Sequence, residues 1–427
     1  MSESTRVATA NWAGNVTFSG TVHYPQTMPE LQALVAGATK VHALGTGHSF
    51  TEVADTDGVL INLSAMPSHC HVETDASGQV SATATVSAGM TFAEFAPLLE
   101  AQGYALHNMG SLPHISVAGA CSTGTHGSGD RAPCLAAAVR AVELVTASGD
   151  VITLDRSDTD FAGVLPGLGA HGVITSLTFD VEPSFAVAQT IWQGIDTATG
   201  LAHIDEIMAS AYSVSIFTTL APQSFGDAWV KRRMDETDPD LGPFGGAPAD
   251  GPRRPVPGQE GEGCTVQGGI PGRWFERLPH FTPDAPPSSS GAELQSEYYV
   301  TRADGPAALR ALWQVGAPVR EAMQICELRT LAADGLWLSP AGETGMLGIH
   351  FTWHPDTGAV EMACRDVERA LEAFAPVPHW GKVSTMPADV VRARYPRMVD
   401  ARALARRLDP DNTFGNALTD RYLRTGE

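Results

Sequence analysis

Two glycine-rich stretches decide how this chain is read. One is Ala43-Leu-Gly-Thr-Gly-His-Ser-Phe50, which follows the short apolar run Val41-His-Ala43, and the other is Gly110-Ser-Leu-Pro-His-Ile-Ser-Val-Ala-Gly-Ala-Cys-Ser-Thr-Gly-Thr-His-Gly-Ser-Gly129. Small residues let backbone N–H groups approach an anion closely, and Ser and Thr hydroxyls add donors without bulk, so such loops can cradle a diphosphate. Two ordinary turn-rich loops of a β domain would have a similar composition, and the lengths speak against that reading. A third pattern, Gly167-Leu-Gly169-Ala-His-Gly172, matches the dinucleotide fingerprint in letters only. That fingerprint follows a strand and opens a helix, whereas the residues after Gly172, VITSLTFDV, are β-branched and alternating.

Around these loops, Phe18 to about Pro183 is β-rich, with strand signals at 58–63, 81–89, 137–147 and 172–181 between Gly, Asp and Ser turns. Apolar residues at i, i+3 and i+4 predict helices over 28–38 and 91–103, the second ending on a glycine signal at Gly103. From 241 to 290 ten Gly and ten Pro fall within fifty residues, which predicts one long excursion of turns and loop. Strand signals resume at 293–300, 326–333 and 346–354, with helical patterns at 305–316 and 359–374. The fold class expected is α+β in two domains, without the regular strand–helix alternation of a doubly wound sheet. No repeat of twenty to fifty residues is present.

The length of 427 residues suits two or three domains, each able to bury its own core. Lys plus Arg number 27 and Asp plus Glu 48, a net charge of −21 that repels nucleic acid and anionic membrane surfaces. There is no run of about eighteen apolar residues, and Met1 to Val16 has neither a basic nor an apolar leader region, so the expected location is the cytoplasm with no membrane or nucleic-acid partner. Six cysteines lie without CxxC or CxxH spacing, which argues against a disulfide framework and a zinc site. His48, His114 and His126 cluster in the glycine loops, yet no Asp or Glu stands between the histidines of either loop, and no metal is expected. A serine-hydrolase elbow is missing its second glycine at Gly47-His-Ser-Phe-Thr51.

Strand alternation sorts the second domain. Along 347–354, Leu347, Ile349, Phe351 and Trp353 face one way and Gly348, His350, Thr352 and His354 the other. Glu327 and Arg329 share a face, with Cys326 and Leu328 opposite. An exposed ion pair on a strand is the plain reading of that acid and base, and such pairs contribute little.

The motifs Gly45-Thr-Gly-His48-Ser-Phe50, Gly110-Ser-Leu-Pro-His-Ile-Ser-Val-Ala-Gly119 and Thr123-Gly-Thr-His126-Gly resemble those of the vanillyl-alcohol-oxidase-type flavoproteins, and within them the alditol oxidases, which include xylitol and sorbitol oxidases. The likeness runs from Asn11-Trp-Ala-Gly-Asn15 through Leu294-Gln-Ser-Glu297, Glu327-Leu-Arg329, His350-Phe-Thr-Trp353 and His379-Trp-Gly-Lys382 to Phe414-Gly-Asn-Ala417. It implies an FAD-binding domain of two α/β subdomains over residues 12–182. A substrate domain over 183–378 follows, with an antiparallel sheet covering the flavin and a long loop at about 235–292, and a C-terminal segment over 379–427 returns to the FAD domain.

By the same resemblance His48 carries FAD covalently, and Ala43, Leu44, Gly45, Thr46, Gly47, Ser49, Gly110, Ser111, Ser116, Gly119, Thr123, Gly124, Thr125, His126, Val173 and Ile174 hold the cofactor. Gly47 departs from the Arg of the alditol branch, which puts local packing in question and not the attachment. Substrate contacts map to Ser111, Glu327, Arg329, Thr352, Lys382 and His379. The implied reaction is oxidation of a terminal polyol alcohol to the aldehyde, with O₂ reduced to hydrogen peroxide. His350 is the favoured base, and Lys382 or Arg329 stabilises the alkoxide. A polyol presents hydroxyls and no charge, so its recognition requires a row of paired donors and acceptors. The rivals are an aldonolactone or sugar-acid dehydrogenase using another acceptor and a non-catalytic carbohydrate-binding protein. A monomer is expected.

Overall fold

The structure, a computed structural model, describes residues 5–6, 10–74, 82–221, 224–259, 263–285 and 292–425. Three sheets organise it. In the first, Thr21–His23 and Val41–Ala43 flank Val59–Ile61 in parallel, with Thr5–Arg6 at the edge. The second is antiparallel, in the order Cys70–Thr74, Ala82–Ser87, Val173–Pro183, Val139–Val145, Val151–Asp155, and Tyr104–Ala105 joins Val173–Pro183. The third, also antiparallel, has nine strands among the described residues and is centred on Ser213–Thr218, Met323–Leu331, Met346–Trp353 and Leu294–Thr301. The molecule is α+β, as expected.

Local rules explain the helices that back these sheets. Phe92–Glu100 opens with a capping box in which Thr91 and Glu94 satisfy each other's backbone N–H groups. Its buried Phe92, Phe95, Ala96 and Leu99 recur at helical spacing, and Phe95 meets Phe179 of the second sheet with ring centroids 5.8 Å apart. Thr357–Leu371 buries Val360, Ala363, Cys364, Val367 and Leu371, which pack in one core with Leu347, Ile349, Phe351 and Trp353. That core takes one face of the third sheet and leaves the other for the polar alternation of Glu327, Arg329, His350 and Thr352.

Several sequence expectations are corrected. The stretch 110–129 contains a helix, Val117–Thr123, which ends at Gly124 in the left-handed region at φ 77°. Ala186–Gln193, Ser213–Thr218 and Asp227–Arg233 are strands that carried no sequence signal here. Most of their residues are buried, with polar Gln189 and Lys231 among them, so a two-faced alternation is missing. The Pro- and Gly-rich stretch is strapped to the third sheet, because Ala247–Pro248 and Gly272–Arg273 pair with Ala186–Gln193. Residues 260–262 and 286–291 of that stretch, and Ser81 of the expected 81–89 strand, lie outside the described residues. At Gly167–Gly172 no helix forms, and the chain passes into the strand Val173–Pro183. The six cysteines are free, four of them buried. Among the described residues no helix is long and apolar enough to cross a membrane.

The C-terminal segment packs against the first sheet. The Val41 N–H donates to the Thr413 carbonyl at 2.9 Å and Lys40 Nζ to the Asn412 carbonyl at 2.7 Å. Asn416 Nδ2 donates to the carbonyls of Val53 and Asp55, each at 2.9 Å, in the turn just after the first glycine loop.

Candidate active site

A cavity of about 490 Å³ runs from the two glycine loops to the polar face of the third sheet. Its loop wall includes residues 43–49, Ser111, Ser116, Gly119, Thr123, Thr125, His126 and Ile174. Gly110, Gly124 and Val173 stand outside this wall. Gly110 lies behind Thr125, whose Cγ2 an added Cβ would meet at 3.2 Å, Gly124 caps the helix, and Val173 is in the core with Leu31 and Phe414. The loops touch closely, since a Cβ on Gly45 would strike Ser116 Oγ at 2.2 Å. Gly47 holds a left-handed φ of 70°, which glycine adopts without strain.

His48 stacks on Trp12 with centroids 5.6 Å apart, and its Nδ1 meets Thr46 Oγ1 at 3.0 Å. Its Nε2 is buried with no hydrogen-bond partner among the described residues. Burial, aided by His114, pushes the His48 pKa down to about 4, so at neutral pH the ring is uncharged and has nucleophilic character. A glycine-lined trough with Ser and Thr donors and one unpaired imidazole nitrogen fits a flavin dinucleotide. His114 Nε2 meets the Pro283 carbonyl at 2.8 Å, and among the described residues no group of three or more His, Cys, Asp or Glu is placed to hold a metal.

The opposite wall is built by strand register. Phe217, Glu327, His350 and Glu297 are successive cross-strand partners on four neighbouring strands, so they form one transverse row. Two residues along, Arg329 faces Gly348, which in turn faces Tyr299. Because Gly348 has no side chain, Arg329 reaches across it to Glu297, Nη2 to Oε1 at 2.6 Å. Lys382 Nζ holds the other oxygen of Glu297 at 2.6 Å and approaches His350 Nδ1 at 2.6 Å. Arg329 Nη2 also lies 3.2 Å from His350 Nδ1. With two cationic donors at Nδ1, the proton of neutral His350 resides on Nε2, 3.3 Å from Thr352 Oγ1.

The expected surface pair of Glu327 and Arg329 is therefore corrected. Both are 4% exposed, and their nearest charged atoms, Arg329 Nε and Glu327 Oε2, are 3.9 Å apart, so Arg329's principal partner is Glu297. Arg329 Nε is buried without a hydrogen-bond partner among the described residues. Burial works to raise the carboxyl pKa of Glu297 and of Glu327, yet Arg329 with Lys382 beside the first, and Arg329 with His280 beside the second, hold both well below the usual range. Burial lowers Lys382 to about 8 even against Glu297, and lowers His350 to about 4 with help from Lys382. His379, also in the wall, is pushed well below its ordinary value by burial and Lys382.

The cavity thus collects Ser111, Glu327, Arg329, His350, Thr352, His379 and Lys382, all named from sequence. Glu297 and His280 were missed as site residues. The alternation of Gln295, Glu297 and Tyr299 along Leu294–Thr301 was the available signal for the first. His280 lies in the Pro- and Gly-rich stretch, where no periodicity exists to orient a side chain. His126 joins the two walls: its Nδ1 lies 2.6 Å from the Gly127 carbonyl and its Nε2 2.7 Å from the Tyr299 hydroxyl.

Comparison with known proteins matches segments on both sides of the cavity. A family profile described as FAD binding domain matches residues 20–155, and one described as D-arabinono-1,4-lactone oxidase matches residues 292–422. Among solved structures, a cholesterol oxidase from B. sterolicum has a TM-score of 0.77 over 98% of this chain and 96% of that one, at 15% identity, a likeness of fold alone. Fold and site define an FAD-dependent oxidoreductase of the vanillyl-alcohol-oxidase type. An alditol oxidase from Streptomyces sp. (strain IKD472 / FERM P-14339) is 47% identical over 96% of this chain and 97% of that protein, and an L-gulono-1,4-lactone dehydrogenase from Mycobacterium tuberculosis is 30% identical over 97% and 98%. The chain belongs to the alditol oxidase family.

Proposed function

We propose that the chain oxidises the terminal alcohol of a neutral polyol such as xylitol or sorbitol to the aldehyde, with FAD linked covalently through His48 and O₂ reduced to hydrogen peroxide. The observation that carries this reading is the pairing of unpartnered Arg329 Nε with Glu327 Oε2 at 3.9 Å on the cavity wall. A hydroxyl between them accepts from the first and donates to the second, so a hydroxyl-bearing ligand satisfies both.

The loop residues that line the cavity would hold FAD, with Gly110, Gly124 and Val173 supporting them from behind. When bound, FAD supplies a two-electron acceptor for the hydride leaving the carbinol carbon and passes the pair to O₂. His350, neutral at physiological pH, would take the hydroxyl proton at Nδ1 once the substrate oxygen displaces Lys382 and Arg329 from that lone pair. Lys382 and Arg329, already at that nitrogen, stand where negative charge gathers on the oxygen. Ser111, Thr352 and His379 complete the polar wall for the remaining hydroxyls. The domain division that goes with this reading is 12–182, 183–378 and 379–427, in a cytoplasmic monomer.

The test is anaerobic addition of xylitol to the yellow holoenzyme. Bleaching of the visible band is expected, and persistence of the yellow colour with xylitol and sorbitol alike overturns the reading. The name of the Mycobacterium tuberculosis relative supports a second reading, oxidation of a sugar lactone with a non-oxygen acceptor. Stopped-flow reoxidation separates the two, since slow recovery of the band on mixing with O₂ favours the dehydrogenase.

A further inference from the structure

Lys231 projects from the middle of the strand Asp227–Arg233 and is 1% exposed, yet it does not line the cavity. An ammonium buried in a sheet is costly unless each of its protons is used. Here Nζ donates to the Leu278 carbonyl, to the Pro279 carbonyl at 3.3 Å and to His280 Nδ1 at 3.1 Å. Burial pulls Lys231 down to about 7 while Glu327 works to hold its charge, and as the ammonium it has no lone pair to offer, so His280 Nδ1 accepts and the ring proton sits on Nε2. That nitrogen meets Glu327 Oε1 at 2.9 Å, which makes it the donor. The ring cannot turn away, because Phe217 and Trp229 present edges to it at centroid distances of 5.2 and 5.3 Å. Lys231 and His280 thus form a one-directional relay of donors that ends on the Glu327 carboxylate at the cavity.

We propose that Lys231 is a positioning residue for substrate recognition: acting through His280, it commits Oε1 of Glu327 to the protein and leaves Oε2 to the substrate hydroxyl beside Arg329 Nε. This rests on the polyol reading of the cavity. Without the ammonium, His280 Nδ1 loses its donor and the ring loses its anchor in the sheet, keeping only its Nε2–H bond to Glu327. Glu327 can then move with the ring, and the hydroxyl site beside Arg329 loses a fixed acceptor. Backbone bonds hold the Pro- and Gly-rich stretch at this point as well. The N–H groups of His280 and Phe281 donate to the Ser111 carbonyl at 3.1 and 3.3 Å, and the Thr265 N–H donates to the His280 carbonyl at 2.9 Å.

The experiment measures the anaerobic reduction rate of flavin-loaded holoenzyme against xylitol concentration, for the natural chain, Lys231→Met, His280→Phe and the double variant. Losing one charge-oriented hydrogen bond predicts a rise of about tenfold or more in the half-saturating xylitol concentration for Lys231→Met, with the limiting rate changed less than about threefold. Ethane-1,2-diol, too short to span the reacting site and Glu327, is expected to show no comparable loss. The double variant is expected to lose no more than His280→Phe alone, because both substitutions cut one chain. Equal losses for both substrates, or losses that multiply in the double variant, mark a merely structural lysine and overturn the proposal.

If Lys231→Met does not fold, His280→Gln set against His280→Phe decides. Glutamine keeps a donor for Glu327 and is expected to restore most xylitol affinity, while equal affinities overturn the proposal. A natural chain that xylitol fails to reduce overturns the polyol reading and this inference with it. Normal reduction of the natural chain with an unaltered Lys231→Met overturns this inference alone.

Discussion

Lys382 lies where two demands conflict. Burial removes its charge, Glu297 at 2.6 Å retains it, and the balance is a pKa near 8. If the ammonium stabilises the alkoxide, kcat/KM falls as pH rises through about 8, where that charge is lost, and Lys382→Arg moves this limb to higher pH because guanidinium stays protonated. The pH profile with xylitol checks the sign, and a rate that climbs through pH 8 assigns the lysine the base role in place of His350. At the other wall, the proposed link predicts that His48→Ala abolishes acid-stable flavin while leaving some FAD bound, since the 110–129 stretch would hold the cofactor independently of that link. Acid precipitation reads this out, and a yellow pellet from the variant removes His48 from its role. His48, Glu327, Arg329, His350, Thr352 and Lys382 were all legible in the sequence. Arg329's partner was not, because Glu297 reaches it across Gly348 from a strand two positions away in the sheet, and sequence distance carries no trace of that contact.

At the scale of elements, the site is a consequence of register. Glu327, His350 and Glu297 come from three strands and meet because those strands pair in one register, and a slip of a single residue would turn each side chain to the helix-backed core. Gly348 is where that register is used most tightly. An added Cβ there lies 3.2 Å from Glu297 Oε1 and 3.2 Å from the Tyr299 ring. Gly348→Ala is therefore expected to push Glu297 off Arg329 at a cost of ~1–3 kcal/mol, an overpacking penalty felt in kcat/KM as roughly a tenfold to hundredfold loss. Steady-state kinetics beside a thermal melt test it, and unchanged kinetics show that the sheet absorbs a methyl group without moving the pair. Phe92–Glu100 was readable because its periodicity matches its burial, and Met346–Trp353, although every residue is buried, because apolar Leu347, Ile349, Phe351 and Trp353 alternate with polar His350 and Thr352. Strands such as Ser213–Thr218, buried on both faces, and the short helix Val117–Thr123, built of small residues, lack that contrast and were invisible.

Across the whole molecule, buried neutral histidines set a limit on acid tolerance. His171, His280 and His350 are each lowered from 6.5 to about 4, with burial the leading cause in all three. Between those values the unfolded chain binds protons that the folded chain refuses, so stability contributed by their neutrality is complete above 6.5 and is lost as pH falls toward 4. Each histidine contributes a slope of up to ~1.4 kcal/mol per pH unit, against a total stability of ~5–15 kcal/mol for an ordinary fold. Cooperative unfolding above pH 4 is expected in a series of thermal melts, and a melting temperature flat from pH 6.5 to 4 contradicts it.

The division of labour between sheet and strap has a further consequence. The polar wall of the cavity is set by hydrogen-bonded strands whose register an insertion would break, whereas His280, which holds Glu327, is carried on a stretch with little regular structure. Loops accept changes of length that strands do not. A descendant of this chain could therefore acquire a taste for longer or shorter sugars by editing that stretch alone, keeping its chemistry intact while its ruler is recut.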